Sequence, residues 1–373
     1  MATGTFTTYD LTVGTIVDIE PTIHDLDPFD TPLLGMYGSD GRSALATGKA
    51  TQKKVEWLDE NLLTPRAPTS ANFLIGATTI ELAAADAFKF QVGDVLAHQG
   101  ERIRVTGVDA AGDTLTVTRG FASTTAVAGT AADILVGVGV ILAEGSDPGD
   151  GVTVDRTNRF NYTQIFGPYK IATSATENVI SKYGLGSGHE FEHQVSRRTK
   201  EVAIAMEQAI LYGVRSEDTG SKLRSMGGLI NYITANVDST TTTLTSALLL
   251  DQLQAVYDDG GSPDRIVAGG KQKRLISGFD SSAIQLTRAD NGRGQVVDTF
   301  MSDFSLVTLL LNRWTRVSDL FIFNRDQATL LTLRPLQFQM LGKTGDSIKG
   351  QIVGEKSLRF TEDAHAARFS ALT

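Results

Sequence analysis

The chain has 373 residues, which is enough for two or three domains and a sizeable buried core. Its formal net charge is −9, and this acidic balance argues against a protein that grips nucleic acid along its phosphates. Because the chain contains no cysteine, disulfides, thiolate metal sites and cysteine nucleophiles are excluded.

The N-terminal segment, residues 1–35, is predicted to be an extended arm. Pro21, Pro28 and Pro32 interrupt any helix, and the apolar residues of the segment follow no period. We expect those apolar side chains to pack on the parent domain or on a neighbouring subunit. The first residues also lack the basic region and apolar run of a signal peptide, which predicts a cytosolic product without a membrane segment.

Two segments in which polar and apolar residues alternate, 51–60 and 159–171, are predicted to be long strands. The segment between them, 71–145, differs in composition and is rich in Gly, Ala, Thr and Val. Within it, the β runs 102–108 and 114–118 flank the turn sequence DAAGD, which predicts a hairpin. We interpret this segment as a small β-barrel or sandwich inserted at the tip of a two-stranded arm.

A long helix is predicted over residues 187–212. Ser187 and Glu190 have the spacing of a capping box, and Gly213 can end the helix as its C-cap. Apolar residues recur at helical spacing between these ends, namely Phe191, Val195, Val202, Met206, Ala209 and Ile210. Residues 224–325 alternate between predicted helices and strands, and strand patterns dominate the C-terminal part. The overall class is therefore α+β with a discontinuous architecture.

One motif points to an enzyme. The segment HEFEH, from His189 to His193, matches the H-E-x-x-H signature of zinc proteases, in which two imidazoles on one helix face bind Zn²⁺ and Glu190 would be the general base. A third ligand is required, and the candidates are Glu207, Glu217 and His365. The other interpretation is a solvated helix start whose glutamates are favoured by the helix dipole. A zinc-dependent hydrolase is the alternative function, and a glycan-binding surface protein, which would need an export signal, is a third.

The order of the predicted parts resembles the Hong Kong 97-type fold of tailed-bacteriophage major capsid proteins. The stretches that carry the likeness are DTPLL (30–34), KKVEWLDE (53–60), SRRTKEVAIAMEQAILYG (196–213), SMGGL (225–229) and GGSPDRIVAGGKQKRLISGF (260–279). The likeness covers about residues 25–70 and 150–373. The segment 71–145 is not part of the minimal family pattern, and it is similar to the β-barrel domains that some phages place in the E-loop.

The resemblance implies a division of the chain into the named parts of that fold. These are an N-terminal arm over 1–35, an E-loop over 36–70 and 146–175, an inserted β-barrel over 71–145, a P domain over 176–223 and 326–373 with its spine helix at 187–212, and an A domain over 224–325.

The resemblance also implies a function. It predicts a major capsid protein, without enzymatic activity or cofactor, that self-assembles into hexamers and pentamers of an icosahedral head shell around double-stranded DNA. An acidic wall can enclose DNA without sequence-specific binding. Because no long helical N-terminal domain is present, a separate scaffolding protein is implied, together with a portal and, as an open option, cement proteins. The protein would lie in the virion after synthesis in the bacterial host cytoplasm.

On this interpretation, the arms are the functional site, because an isolated two-stranded arm is marginally stable and needs a neighbour to cover it. Aromatic side chains dominate such contacts. The predicted interface anchors are Leu34, Trp57, Phe160, Tyr162 and Phe166. The residues predicted to supply charge complementarity are Lys53, Lys54, Asp59, Glu60 and Arg159.

Overall fold

The computed structural model describes residues 28–35, 44–61, 65–84, 86–142, 144–145, 155–179, 190–279 and 299–373. The chain divides into two compact units. The main unit comprises the described residues of Met1–Trp57 and Phe160–Thr373, and the inserted unit comprises those of Leu58–Arg159. Most of the arm predicted over 1–35 lies outside the described residues, as does the start of the predicted helix at 187–189.

Strands dominate the mixed α/β content of the described ranges. They are β1 (Ala46–Lys49), β2 (Lys54–Asn61), β3 (Arg66–Pro68), β4 (Thr79–Glu81), β5 (Asp94–His98), β6 (Glu101–Asp109), β7 (Thr114–Thr118), β8 (Ile134–Val140), β9 (Asp155–Tyr162), β10 (Gln164–Ser174), β11 (Ser216–Asp218), β12 (Leu223–Ser225), β13 (Asn236–Asp238), β14 (Arg265–Ala268), β15 (Thr299–Met301), β16 (Leu306–Leu311), β17 (Leu320–Phe323), β18 (Ala328–Met340), β19 (Ser347–Phe360) and β20 (Ala367–Phe369). The helices are α1 (Ala175–Val179), α2 (Glu190–Tyr212), α3 (Leu229–Tyr232), α4 (Ser246–Asp258) and α5 (Gly270–Ser277). None of these helices is both long and apolar enough to cross a bilayer.

The long helix α2 packs on a four-stranded sheet with the strand order β1-β18-β19-β10. Its 23 residues extend about 34 Å. Phe191 and Met206 on the buried face of α2 reach β19 where that strand has glycines. A Cβ at Gly354 would lie 3.1 Å from the Met206 methyl group, and one at Gly350 would lie 3.1 Å from the Phe191 ring. The helix therefore lies close on the sheet because glycines leave room for its side chains.

A second, six-stranded sheet of the main unit has the order β13-β20-β17-β14-β16-β15. Its central strand β17 is buried along its whole length, and α4 and α5 contribute to the same apolar core. Helix α4 begins where the Thr245 hydroxyl accepts a hydrogen bond from the amide of Leu248, as an N-cap residue does. Most strands come from the predicted A domain, but β20 comes from the C-terminal segment that the predicted division assigned to the P domain.

The inserted unit is built on a six-stranded antiparallel sheet with the order β3-β8-β5-β6-β7-β4. The predicted hairpin is confirmed as β6 and β7, and the Asp109 carboxylate accepts the amide hydrogens of Ala111 and Gly112 in the turn. The two outermost strands are linked by a single bridge between Thr69 and Leu82. The unit has its own core, which includes Leu96, Ile103, Leu115 and Leu135, all 0% exposed.

The strands β2 and β9 form a separate two-stranded sheet, and they carry the chain into and out of the inserted unit. The prediction of one strand over 159–171 was wrong, because β9 ends at Tyr162 and β10 begins at Gln164 in another sheet. Thr163 is the break: its amide donates to the carbonyl of Lys53, while its hydroxyl donates to the buried Glu355 carboxylate at 2.6 Å. The hydrogen bond from the Thr163 hydroxyl to Glu355 holds the corner at which the chain passes from β9 to β10.

The C-terminal end of α2 meets the next segment through glycines. The amide of Gly228 donates to the carbonyl of Gly213 at 2.8 Å. A Cβ at Gly228 would lie 2.6 Å from the carbonyl oxygens of both Ala209 and Ile210, which are backbone atoms that cannot rotate away. This position accepts only glycine without a shift of the helix end.

We expect Gly228→Ala to lower the free energy of unfolding by about 1–3 kcal/mol, because the added methyl group overpacks the helix end. Gly342→Ala is the matched control, since no atom lies within 4 Å of the position of its Cβ. The control should not lower stability, because alanine also reduces the freedom of the unfolded chain. Urea denaturation of the purified subunit measures both values, and equal effects of the two changes would contradict the argument.

Candidate functional site

Phe160, near the end of β9, is the centre of a cluster of cations and aromatic rings in the main unit. The Lys54 ammonium lies 4.4 Å from the centre of its ring, and the Arg215 guanidinium lies 4.1 Å from it. Tyr162 packs against it edge-on, with 5.7 Å between ring centres. The carbonyl oxygen of Phe160 accepts hydrogen bonds from Arg215 at 3.0 Å and from the Tyr232 hydroxyl at 2.9 Å. The contacts with cations therefore hold this aromatic residue in place.

Glu217 on β11 joins a second group of predicted residues. Its carboxylate accepts a hydrogen bond from the Lys53 ammonium at 2.9 Å and another from the Tyr162 hydroxyl. The hydrogen bond from Lys53 is the main reason that the pKa of Glu217 lies below its usual value. The pKa of Tyr162 shifts in the opposite direction: its hydrogen bond to Glu217 raises the pKa above the usual value. Glu217 was considered in the sequence only as a zinc ligand, and the structure gives it these two partners instead.

The remaining predicted charges are paired along the two strands. Arg159 and Asp59 form an ion pair of 3.0 Å, and Arg156 and Glu60 form one of 2.8 Å. Lys54, besides its contact with Phe160, pairs with Glu56 on its own strand. The predicted charged residues thus have partners within the chain.

The predicted apolar anchors divide into two groups. Leu34 and Phe166 lie in the core of the main unit, at 7% and 4% exposure, and they contribute to the fold of the single chain. Trp57 is half-buried against the same core, with its ring centre 5.9 Å from that of Tyr232. Its buried indole nitrogen has no acceptor in the described part of the chain. The second group consists of the partly exposed aromatic residues Trp57, Phe160 and Tyr162.

The face of β2 opposite Trp57 is exposed along the strand. It carries Lys54, Glu56, Leu58 and Glu60, and Leu58 is 67% exposed. Sequence reasoning did not select Leu58, although its position one residue after Trp57 places it on the opposite face. It is the large apolar side chain of this face.

The base of the strands is fixed to the main unit by buried polar side chains. The Asn161 side chain, 0% exposed, donates to the carbonyls of Gly227 and Leu358 and accepts from the amide of Gly227 at 2.8 Å. The buried Glu355 carboxylate accepts from Thr163, Arg224 and Arg334. Burial raises the pKa of Glu355, but these hydrogen bonds, above all those from Thr163 and Arg224, outweigh it and leave the pKa lowered.

Residues 28–35 are fastened to α2 by Glu207. This side chain is 0% exposed, and its carboxylate accepts the amide hydrogens of Leu33 at 2.9 Å and Leu34 at 3.0 Å. The Asn312 side chain donates a third hydrogen bond at 2.7 Å. Nearby, the Trp314 indole donates to the carbonyl of Asp30 at 2.8 Å. Burial raises the pKa of Glu207 to about 7, against the lowering effect of its three donors.

The zinc motif is not assembled into a metal site in the described ranges. His189 lies outside the described residues, while His193 is part of α2. Of the candidate third ligands, Glu207 is engaged with backbone amides and Glu217 with Lys53. No group of three or more His, Asp or Glu side chains in those ranges is placed to hold a metal ion.

Comparison with known proteins decides between the predicted functions. The family model of the SU10 major capsid protein matches residues 1–373, which is the entire chain. The chain belongs to the SU10 major capsid protein family. No curated protein sequence gives a significant match.

Solved structures share the fold of this family member. A chain from Microbacterium phage Oxtober96 superimposes with a TM-score of 0.54 at 11% sequence identity, and the match covers 96% of both chains. The capsid of Myoviridae phage XM1 gives a TM-score of 0.52 at 12% identity over 99% of this chain and 100% of that chain. The capsid of the native GTA particle gives 0.52 at 9% identity over 96% of both chains. At these identities the likeness concerns the fold alone.

The family establishes the class of function. The chain is a major capsid protein of a phage head shell, hence a structural component of the virion and not an enzyme. The alternative of a zinc-dependent hydrolase has no support from the family or from the solved structures. The polar networks described above position strands and segments of this shell subunit.

We expect the stability difference between the unchanged protein and Glu207→Gln to depend on pH. Because folding raises the pKa of Glu207 from 4.5 to about 7, its stabilisation is fully present below about pH 4.5 and is lost as pH rises through 7. The glutamine does not titrate. The free energy of unfolding of the unchanged protein should therefore fall relative to the variant by about 2–3 kcal/mol between pH 5 and pH 8.

Urea denaturation of both proteins at pH 5, 6, 7 and 8 measures this difference. All other titrating groups are common to the two proteins and cancel. If the stability of the unchanged protein instead rises relative to the variant as pH increases, the three donors, and not burial, dominate the environment of Glu207.

Proposed function

We propose that the chain assembles into hexamers and pentamers that close into an icosahedral shell around double-stranded DNA, as Hong Kong 97-type capsid proteins do. The observation that carries the proposal is the match of the whole chain to a major capsid protein family. Pentamers are further supported by the GTA particle, whose capsid was computed with C5 symmetry and whose fold this chain shares. Contacts of one surface patch with a different patch on the neighbour close into such rings.

The proposed fold assignment follows the order of the elements. The four-stranded sheet with α2 corresponds to the P domain and its spine helix, and the six-stranded sheet of the main unit corresponds to the A domain. The two-stranded sheet of β2 and β9 corresponds to the E-loop. In the inserted unit, the bridge between Thr69 and Leu82 links the outermost strands, which supports a closed β-barrel.

The proposed assembly contact is the exposed face of β2, together with the partly exposed Phe160, Tyr162 and Trp57. A two-stranded sheet is marginal without further cover, so a neighbouring subunit would stabilise it. The ion pairs of Lys53, Asp59, Glu60 and Arg159 within the chain hold the strands in one shape before association. Such preorganisation reduces the entropy lost on binding.

The net charge of −9 supports a wall that encloses DNA without sequence-specific binding. We also propose a separate scaffolding protein and a portal as partners, with synthesis in the host cytoplasm. Electron microscopy of particles purified with and without a co-expressed scaffolding protein tests the assembly. Closed shells with five-fold and six-fold units are the expected result, and a chain that stays monomeric under both conditions would contradict it.

Leu58→Glu tests the contact at β2. Because Leu58 is 67% exposed, we expect the free energy of unfolding of the free subunit to change by less than about 0.5 kcal/mol. Assembly should need a subunit concentration roughly tenfold higher, equivalent to about 1.4 kcal/mol per contact. Trp57 is the poorer choice, because it packs on the core and its removal would also destabilise the subunit.

Leu58→Ile is the matched control for this experiment. It keeps an apolar side chain of the same volume and should assemble at the concentration that the unchanged protein needs. Light scattering against subunit concentration gives the threshold for each protein. If the glutamate variant assembles as readily as the isoleucine variant, the face of β2 is not part of the contact.

A further inference from the structure

The strand β8 of the inserted unit and the two residues after it expose a run of apolar side chains, which continues through a shift in register at Val138. Leu135 points into the core at 0% exposure, while Ile134 and Val136 on either side are 45% and 44% exposed. Val138, Val140, Ile141 and Leu142 are exposed as well. A sheet with one packed face normally carries polar residues on the other face, so a run of exposed branched apolar side chains marks an interaction surface. These six exposed residues are called the β8 stripe below.

Positively charged side chains lie beside the stripe, in the row of cross-strand partners that passes through Val136. Val136 lies opposite Arg66 of β3 on one side and opposite Ala97 of β5 on the other. Ala97 in turn lies opposite Arg102 of β6. Directly paired residues of antiparallel strands share a face, so this row has an apolar centre with an arginine at each end. An acidic partner with an apolar centre would complement it.

The size of the stripe limits what can cover it. A stable complex of two free proteins has about 20–30 contact residues on each side. The six residues of the β8 stripe are too few to hold a free protein, but they add to the contacts between subunits that are already linked in an assembly. The chain itself is acidic, with a net charge of −9, so a second copy has the charge that the flanking arginines favour.

We propose that the β8 stripe is a contact between copies of this chain, which is open in the free subunit and becomes covered when the shell forms. The proposal rests on the assembly proposed above and adds a second contact that is distinct from the face of β2. It assigns the inserted unit a role in holding subunits together.

The lack of cysteine makes the test direct, because a single introduced thiol is the only one in the protein. Val138→Cys places this thiol in the stripe, where the native side chain is 62% exposed. Thr116→Cys is the matched control: it is exposed on the outer face of β7, where Leu115 and Val117 point inward. The measured quantity is the rate of alkylation by a maleimide in free subunits and in assembled particles.

We expect Val138→Cys to react at least tenfold more slowly in particles than in free subunits, while Thr116→Cys reacts at similar rates in both. Equal rates for Val138→Cys in particles and subunits would overturn the proposal. A thiol at position 138 that is already protected in the free subunit would also overturn it, because the rest of the same chain would then cover the stripe.

Particle mass from light scattering separates this proposal from the proposed assembly. If the unchanged chain forms no particles, the assembly proposal fails. The β8 stripe then has no second copy to contact, so this proposal fails as well. If particles form, Val138→Glu gives an independent reading: the particles should come apart at a lower denaturant concentration than those of Thr116→Glu, while the free subunits of both variants unfold alike. Equal resistance of the two kinds of particle would count against the stripe as a contact.

Discussion

A buried carboxylate joins three separate parts of the main unit. Glu207 lies in the middle of α2, and its hydrogen bonds reach the backbone of Leu33 and Leu34 and the side chain of Asn312. Burying a carboxyl group is unfavourable unless hydrogen-bond partners satisfy its oxygens, so the arrangement is stable only when all three parts are in place. The path of residues 28–35 across the main unit is set by this requirement.

The same principle recurs at the base of the two-stranded sheet. Glu355 holds Thr163, Arg224 and Arg334 together, and Asn161 ties the end of β9 to Gly227 and Leu358. Glu355, Thr163 and Asn161 are buried, and their contacts lie within the single chain. The Arg156–Glu60 ion pair farther along the strands is exposed and contributes little to stability by itself. Buried side chains thus fix the base of the strands, while the face of β2 that carries Leu58 stays exposed.

Local patterns made several elements predictable. The helical spacing of apolar residues and the glycine at 213 placed α2, and the turn sequence DAAGD placed the β6–β7 hairpin. The corner at Thr163 was not predictable, because it depends on Glu355, which is 192 residues away in the sequence. Glu207 was noticed only as a metal ligand, since two of its partners are backbone amides and the third, Asn312, is 105 residues away in the sequence. Burial of Leu34 and Phe166 likewise follows from packing between distant segments.

The chain enters and leaves the inserted unit through strands that are paired with each other, and Asp59 and Arg159 link the two sides at 3.0 Å. A domain whose ends lie this close together can be exchanged for another with a similar end-to-end distance. The reason is that the inserted domain joins the rest of the chain only through these two strands. The segment between these strands is therefore a natural place for shell proteins of this kind to diverge. The same geometry makes it an insertion site for a foreign domain.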